Sequence, residues 1–306
     1  MSCYICVDNG LGDKLLDVIG FYIICKYLNY NPHIILNKYV NNYAWGHNKY
    51  DPRLFKFTDI IITEQECENY INSPNPSSSL CPYKVYTFIN KYKMVSFEQI
   101  SNDYNIYAKT IIQPSEIINS KIPIDIEKAY GIHLRKTDKV KPSTDSRFEN
   151  SMNEFDIIMN SLLNDINKII ETEDNPILLI VSEDEEWKKE IKNKINNNKV
   201  KFIEINYENN VYDNYKSVLD MFCLSKCKEI LQGVKYSTFS MLAGLLGNNK
   251  IRNYSNKIES NYKCLIHTWS SAIEINNTKN YHLHFHDSIT KELKTITTSI
   301  RRPNIL

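Results

Sequence analysis

The chain of 306 residues carries 37 Lys+Arg against 36 Asp+Glu, with 42% hydrophobic residues, 8 Cys, 8 Gly and 10 Pro. A formal charge of +1 excludes a generally nucleic-acid-binding surface, whose footprint is strongly basic, so any anion site has to be local. At about 100–200 residues per domain the length corresponds to about two domains, and no apolar run reaches the roughly 18 residues needed to span a bilayer.

With 42 Ile and 37 Asn, the composition carries an AT-rich coding bias, and Asn is not a turn signal each time it appears. The cysteines sit mostly in apolar patterns such as Tyr4-Ile5-Cys6-Val7 and Met221-Phe222-Cys223, as reduced, buried thiols do. Cys3 and Cys6 have the spacing of a redox or zinc pair, but a strand sends them to opposite faces and no second pair supplies further ligands. Residues 1–9 lack the basic start, apolar stretch and cleavage site of a secretory leader. The expectation is a soluble, cytoplasmic protein.

Strand-like and helix-like segments alternate along the chain, the pattern of a parallel sheet with crossover helices. Tyr4 to Val7 reads as a strand, followed by the turn Asp8-Asn9-Gly10-Leu11-Gly12 and a largely apolar helix from about Asp13 to Leu28. His33 to Leu36 and Asp59 to Ile62 are the next strands, and Asn72 to Pro82 is a Ser/Pro/Asn-rich exposed loop. Periodicity is poor from Asn90 to Ile126, and the domain boundary is placed near residue 120. The second half alternates more clearly: strand Tyr130–Arg135, helix Ser151–Glu171, strand Ile177–Val181, helix Glu185–Ile195 and strand Lys201–Ile205. A helix Tyr212–Lys226, a short strand Glu229–Leu231, a helix Ser237–Leu246 and a final strand Ile251–Tyr254 follow. The fold class is α/β, with two Rossmann-like domains, 1–120 and 121–306, facing each other across a cleft.

Four places carry residues suited to chemistry. Gly10-Leu11-Gly12 joins the first strand to the first helix, where backbone amides and a positive helix end attract anions; a tight turn that needs Gly accounts for it equally well. In Gly131-Ile132-His133-Leu134-Arg135-Lys136-Thr137-Asp138-Lys139-Val140, period 2 puts His133 and Arg135 on one face. Arg135, Lys136 and Lys139 then gather cations suited to a diphosphate, with Asp138 placed to pair with them; ordinary surface ion pairs are the alternative. Asp220 is a lone carboxylate on an apolar helix and needs partners if buried, whether a nucleotide base or a neighbouring element. Ser237-Thr238-Phe239-Ser240 opens a small-residue helix, as a plain N-cap or as a phosphate site. The run Glu183-Asp184-Glu185-Glu186 reads as a dipole-stabilised helix start.

In this order the four motifs resemble the fucosyltransferase superfamily of α1,2-, α1,6- and protein O-fucosyltransferases. The stretch from His133 to Val140 is most similar to the α1,6 version. The resemblance implies a GT-B fold in which the N-terminal domain serves the acceptor and the C-terminal one binds a nucleotide sugar. It implies inverting, metal-independent transfer of fucose from GDP-fucose, a substrate rather than a cofactor, to a glycan or glycoprotein acceptor. The sequence contains no Asp-x-Asp of the kind metal-dependent glycosyltransferases use. By position, Arg135 would clamp the diphosphate, His133 would lie against the nucleotide, Asp220 would read guanine and Ser237 to Ser240 would touch phosphate. Gly10, Leu11, Gly12 and Asp13 would close the donor pocket, with Lys136, Asp138 and Lys139 in the exit loop.

Two departures stand out. Lys136 replaces a second Arg, which keeps the charge but removes the planar fork. The acidic residue expected after Lys139-Val140 falls on Ser143, so Asp145 ranks first as general base, ahead of Glu149, with proton transfer to the departing phosphate as the other route. His282, His284 and His286 alternate as strand residues on one face, but no carboxylate or Cys completes a metal set. Transfer from another nucleotide sugar and catalytically silent glycan binding are the competing readings.

Overall fold

A computed structural model describes residues 2–7, 11–36, 51–63, 80, 82–135, 151–207, 214–234 and 237–254. The chain divides into two compact units, one centred on Met1–Ile117 and the other on Ile118–Asn210 with Val218–Ile266.

The first unit opens with strand β1 (Ser2–Val7), helix α1 (Leu11–Leu28) and strand β2 (Asn31–Leu36). A short strand β3 (Phe55–Phe57) precedes β4 (Ile61–Thr63), and β1, β2 and β4 form a parallel sheet in that order. Helices α2 (Pro82–Ile89) and α3 (Phe97–Ile111) follow, then β5 (Ile112–Pro114), which pairs antiparallel with β3, and a single turn α4 (Glu116–Asn119). Helix α1 is buried nearly all round, with Leu16, Ile19, Phe21, Ile23 and Cys25 fully enclosed, and it packs on both α2 and α3. Leu80 is clamped between them: its N–H donates to Asp17 of α1 at 2.5 Å, and its carbonyl accepts from the Tyr104 hydroxyl of α3.

Helix α3 lies where the sequence shows little periodicity. Its buried residues Ile100, Tyr104, Ala108 and Ile111 recur every three or four positions, but the Asn-rich polar face between them dilutes the pattern. Its start is fixed by Ser96, whose Oγ accepts from the Gln99 N–H at 3.0 Å, a bond that satisfies one of the orphan donors of the first turn. Helix α1 begins at Leu11, so Gly12 and Asp13 belong to its first turn rather than to the preceding loop.

The second unit is built on β6 (Ala129–Leu134), α5 (Ser151–Thr172), β7 (Ile177–Ser182), α6 (Glu185–Ile195) and β8 (Lys201–Ile203). It continues with α7 (Tyr215–Lys226), β9 (Glu229–Gly233), α8 (Thr238–Gly247) and β10 (Lys250–Asn253). All five strands are parallel, in the order β10-β9-β6-β7-β8. Tyr130, Ile132 and Leu134 pack with Ile158, Leu162 and Ile166 of α5 and with Trp187 and Ile191 of α6. Gly131 and His133 point to the opposite face, toward α7 and α8. With strands on both sides and helices on both faces, every residue of β6 is buried, which is why a parallel strand reads as an almost continuous apolar run. The edge strand β10 is pinned by Arg252, which holds Glu229 of β9 in a bidentate pair at 2.6 and 2.9 Å.

Gly131 lets α7 approach the central strand: a Cβ there would stand 2.7 Å from Leu224 Cδ2 and 2.9 Å from Cys227 Sγ. Overpacking of this kind typically costs about 1–3 kcal/mol. Gly131→Ala is therefore expected to lower the urea unfolding midpoint by a corresponding amount without changing the slope of the transition. An unchanged midpoint would show that α7 yields freely at this contact.

Candidate functional site

In the second unit the chain leaves β6 for β7 on one side and later returns to β9 on the other. The order of strands reverses between β6 and β9, and in open parallel sheets such a reversal opens a crevice at the carboxyl edge of the two strands. Whatever stands at the exits of β6 and β9, and at the start of the following α8, faces that crevice.

At the exit of β6, His133 is 6% exposed and its ring lies 5.2 Å from that of Phe239 in the first turn of α8. Burial, aided by the charge of Arg135, holds the imidazole pKa down to about 3, so His133 is neutral at physiological pH. Arg135 stands just past the end of the strand and is partly exposed, with its Nε 4.0 Å from the Glu183 carboxylate at the exit of β7. At this separation the pair is a loose one, able to orient the guanidinium.

Helix α8 contributes its amino end. Ser237 caps it, Oγ accepting from the Ser240 N–H at 3.5 Å, while the Ser240 hydroxyl donates to the Ser237 carbonyl at 3.4 Å. Ser237 is thus an N-cap, and Ser240 is fully enclosed within the first turn. The N–H groups of Thr238 and Phe239 belong to the set that α-helix geometry leaves without intrahelical acceptors, so this end favours negative charge. His133, Arg135, Ser237, Phe239 and Ser240 are drawn to one strand reversal from positions roughly a hundred residues apart.

Asp220 occupies the inner part of α7, 5% exposed, and accepts a hydrogen bond from the hydroxyl of Tyr207, which follows β8. Burial and the Asp220 charge push the Tyr207 phenol far up, so it remains a donor. The same combination, burial first and Asp220 second, raises the Cys223 thiol. Leu11, Gly12 and Asp13 form the amino end of α1 in the first unit. Gly10, Lys136, Asp138, Lys139, Asp145, Glu149 and the histidines 282, 284 and 286 lie outside the described residues.

Three residues at these sites carry no motif signal. Gln232 is a polar residue inside the apolar strand β9 and pairs in register with His133; a lone amide in a buried strand is the cue that marks it. Glu183 is hidden in an acidic run that otherwise serves α6, whose N-cap Asp184 accepts from the Trp187 N–H at 3.0 Å. Tyr207 is one of 21 tyrosines and offers no cue at all.

No family model matches the chain, and no curated protein matches it. Solved structures similar to it include the NodZ α1,6-fucosyltransferase soaked with GDP-fucose, 10% identical over 80% of this chain and 93% of that one, with a TM-score of 0.48. A FUT1 mutant of Arabidopsis thaliana in complex with GDP is 10% identical over 82% of this chain and 70% of that one, at 0.48. The apo form of POFUT1 is 10% identical over 82% and 97% respectively, at 0.49.

The neutral His133 makes a prediction about pH. Its pKa is about 3 in the folded chain against an ordinary 6.5, so between those values the unfolded chain binds a proton that the folded chain refuses. Stability contributed in this way rises with pH across the window and is lost as pH falls from 6.5 toward 3, by at most about 1.4 kcal/mol per unit. Urea midpoints measured from pH 7 to pH 4 should fall more steeply for the natural chain than for His133→Asn. Parallel slopes would mean that His133 takes up a proton in the folded state.

Proposed function

We propose that the chain is an inverting, metal-independent glycosyltransferase of the GT-B class, moving fucose from GDP-fucose to a hydroxyl of a glycan or glycoprotein acceptor. The observation that carries the reading is the meeting of a buried neutral imidazole, a partly exposed guanidinium and a helix amino end at one strand reversal. These are the groups a nucleoside diphosphate needs, and the motif resemblance supplies the identity of base and sugar.

In this reading Arg135 engages the diphosphate with its planar fork, and the first-turn amides of α8 face the same anion. As the glycosidic bond to phosphate lengthens, positive charge develops at the anomeric carbon and negative charge on the departing GDP. Fixed donors aimed at that diphosphate stabilise the transition state more than the ground state. Glu183 orients Arg135 without neutralising it. Lys136 and Lys139 add point charges from the exit loop, and Asp138 holds them. Asp220, steadied by Tyr207, accepts from the guanine edge. The motif resemblance assigns Gly10, Leu11, Gly12 and Asp13 to the donor and Asp145 to the proton of the attacking hydroxyl.

A ligand that binds only the native state raises stability by RT ln(1 + [L]/Kd), about 2.7 kcal/mol at a hundred times Kd. GDP should raise the melting temperature of the natural chain and UDP should not. Arg135→Ala should remove the shift and slow release of GDP from GDP-fucose by about 10²–10³-fold, with an unchanged circular dichroism spectrum. A shift with UDP alone overturns the donor assignment, and natural turnover by folded Arg135→Ala overturns the mechanism.

A further inference from the structure

Beside the cationic exit of β6 lies a polar pair, His133 and Gln232, of which only the imidazole enters the reading above. His133 on β6 and Gln232 on β9 are register partners on adjacent parallel strands, so their side chains leave the same face of the sheet. Both are enclosed, at 6% and 0% exposure. The Gln232 amide N–H donates to the Val234 carbonyl at 3.3 Å, which fixes the amide so that Oε1 is the end left over. Gln232 Oε1 and His133 Nδ1 are both buried without a hydrogen-bond partner.

Buried polar atoms are rarely left unsatisfied, and the chemistry allows these two to answer each other in one way only. An amide oxygen accepts and never donates, whereas a neutral imidazole carries its hydrogen on one nitrogen or the other. The pair closes when Nδ1 bears the hydrogen. The enclosure of the ring, aided by the charge of Arg135, keeps it neutral, so the other nitrogen, Nε2, is then an acceptor.

We propose that Gln232 is a positioning residue: by accepting from His133 Nδ1 it fixes the imidazole tautomer and presents Nε2 as a hydrogen-bond acceptor at the strand exit. Resting on the function proposed above, this divides the labour of the site. Arg135 and the α8 amino end take the anion, and His133 takes a hydroxyl or N–H of the nucleoside rather than a phosphate oxygen, which has no hydrogen to give at neutral pH. The ligand class is accordingly one that carries a diphosphate and a hydrogen donor side by side.

The tautomer is directly observable. In the full chain labelled with 15N-histidine, two-bond 1H–15N correlations distinguish Nδ1–H from Nε2–H, and His133 is assigned through its contacts with the Phe239 ring. The natural chain should show Nδ1–H. An Nε2–H pattern, as would arise if a water donated to both buried acceptors, overturns the proposal. Gln232→Met keeps the length but removes the acceptor, and should mix the tautomers and weaken GDP binding by about five- to ten-fold. Gln232→Glu keeps an acceptor oxygen and should retain Nδ1–H. An unchanged tautomer in folded Gln232→Met also overturns it, and if that variant does not fold, the natural chain and Gln232→Glu decide. Failure of the natural chain to bind GDP counts against the proposed function alone, whereas an Nε2–H imidazole with GDP bound counts against this inference alone.

Discussion

The constraint on which the second unit depends is the complete enclosure of β6. Paired on both edges by β7 and β9 and covered on both faces, this strand can present polar atoms only where the sheet ends. Backbone groups inside it are satisfied by the ladder, and apolar side chains fill the helix layers. The first positions that can meet a solvated ligand are those at its carboxyl exit, and the strand order reverses at that same exit. A crevice and a change from apolar to cationic residues therefore coincide for a topological reason.

That coincidence shapes the electrostatics. His133 lies inside the boundary and Arg135 just outside it, two positions further along the chain. Burial holds the imidazole neutral, while the guanidinium stands at a partly solvated edge with Glu183 near by. A second carboxylate, Asp220, is treated differently again: it is enclosed but accepts from Tyr207. Neutral, cationic and anionic groups thus coexist within one unit because each has a distinct depth and partner.

Legibility from sequence followed the strength of local patterning. The alternation of Ile132 and Leu134 with His133 and Arg135 is a period-2 signal, and it gave both the strand and its polar face. Ser237 before a small-residue run marks the start of α8 by a cap that acts over three residues. Helix α3 was obscured because Ile100, Tyr104 and Ala108 are separated by Ser, Asn and Asp and then by Asn, Ile and Tyr, in a composition where Asn has lost its usual meaning. Gln232 and Glu183 were obscured for another reason: their roles come from partners on other strands, and nothing in their own neighbourhoods points to those partners.

The sequence by itself determined the α/β alternation, the apolar strands and the polar break after Leu134, since each rests on interactions between residues a few positions apart. Only the tertiary structure decided that β9 lies beside β6, that Gln232 stands level with His133, and that Phe239 packs on its ring. Adjacency and register between parallel strands are set by how the crossover helices pack on the sheet. That packing is a property of the whole unit, and no single segment contains it.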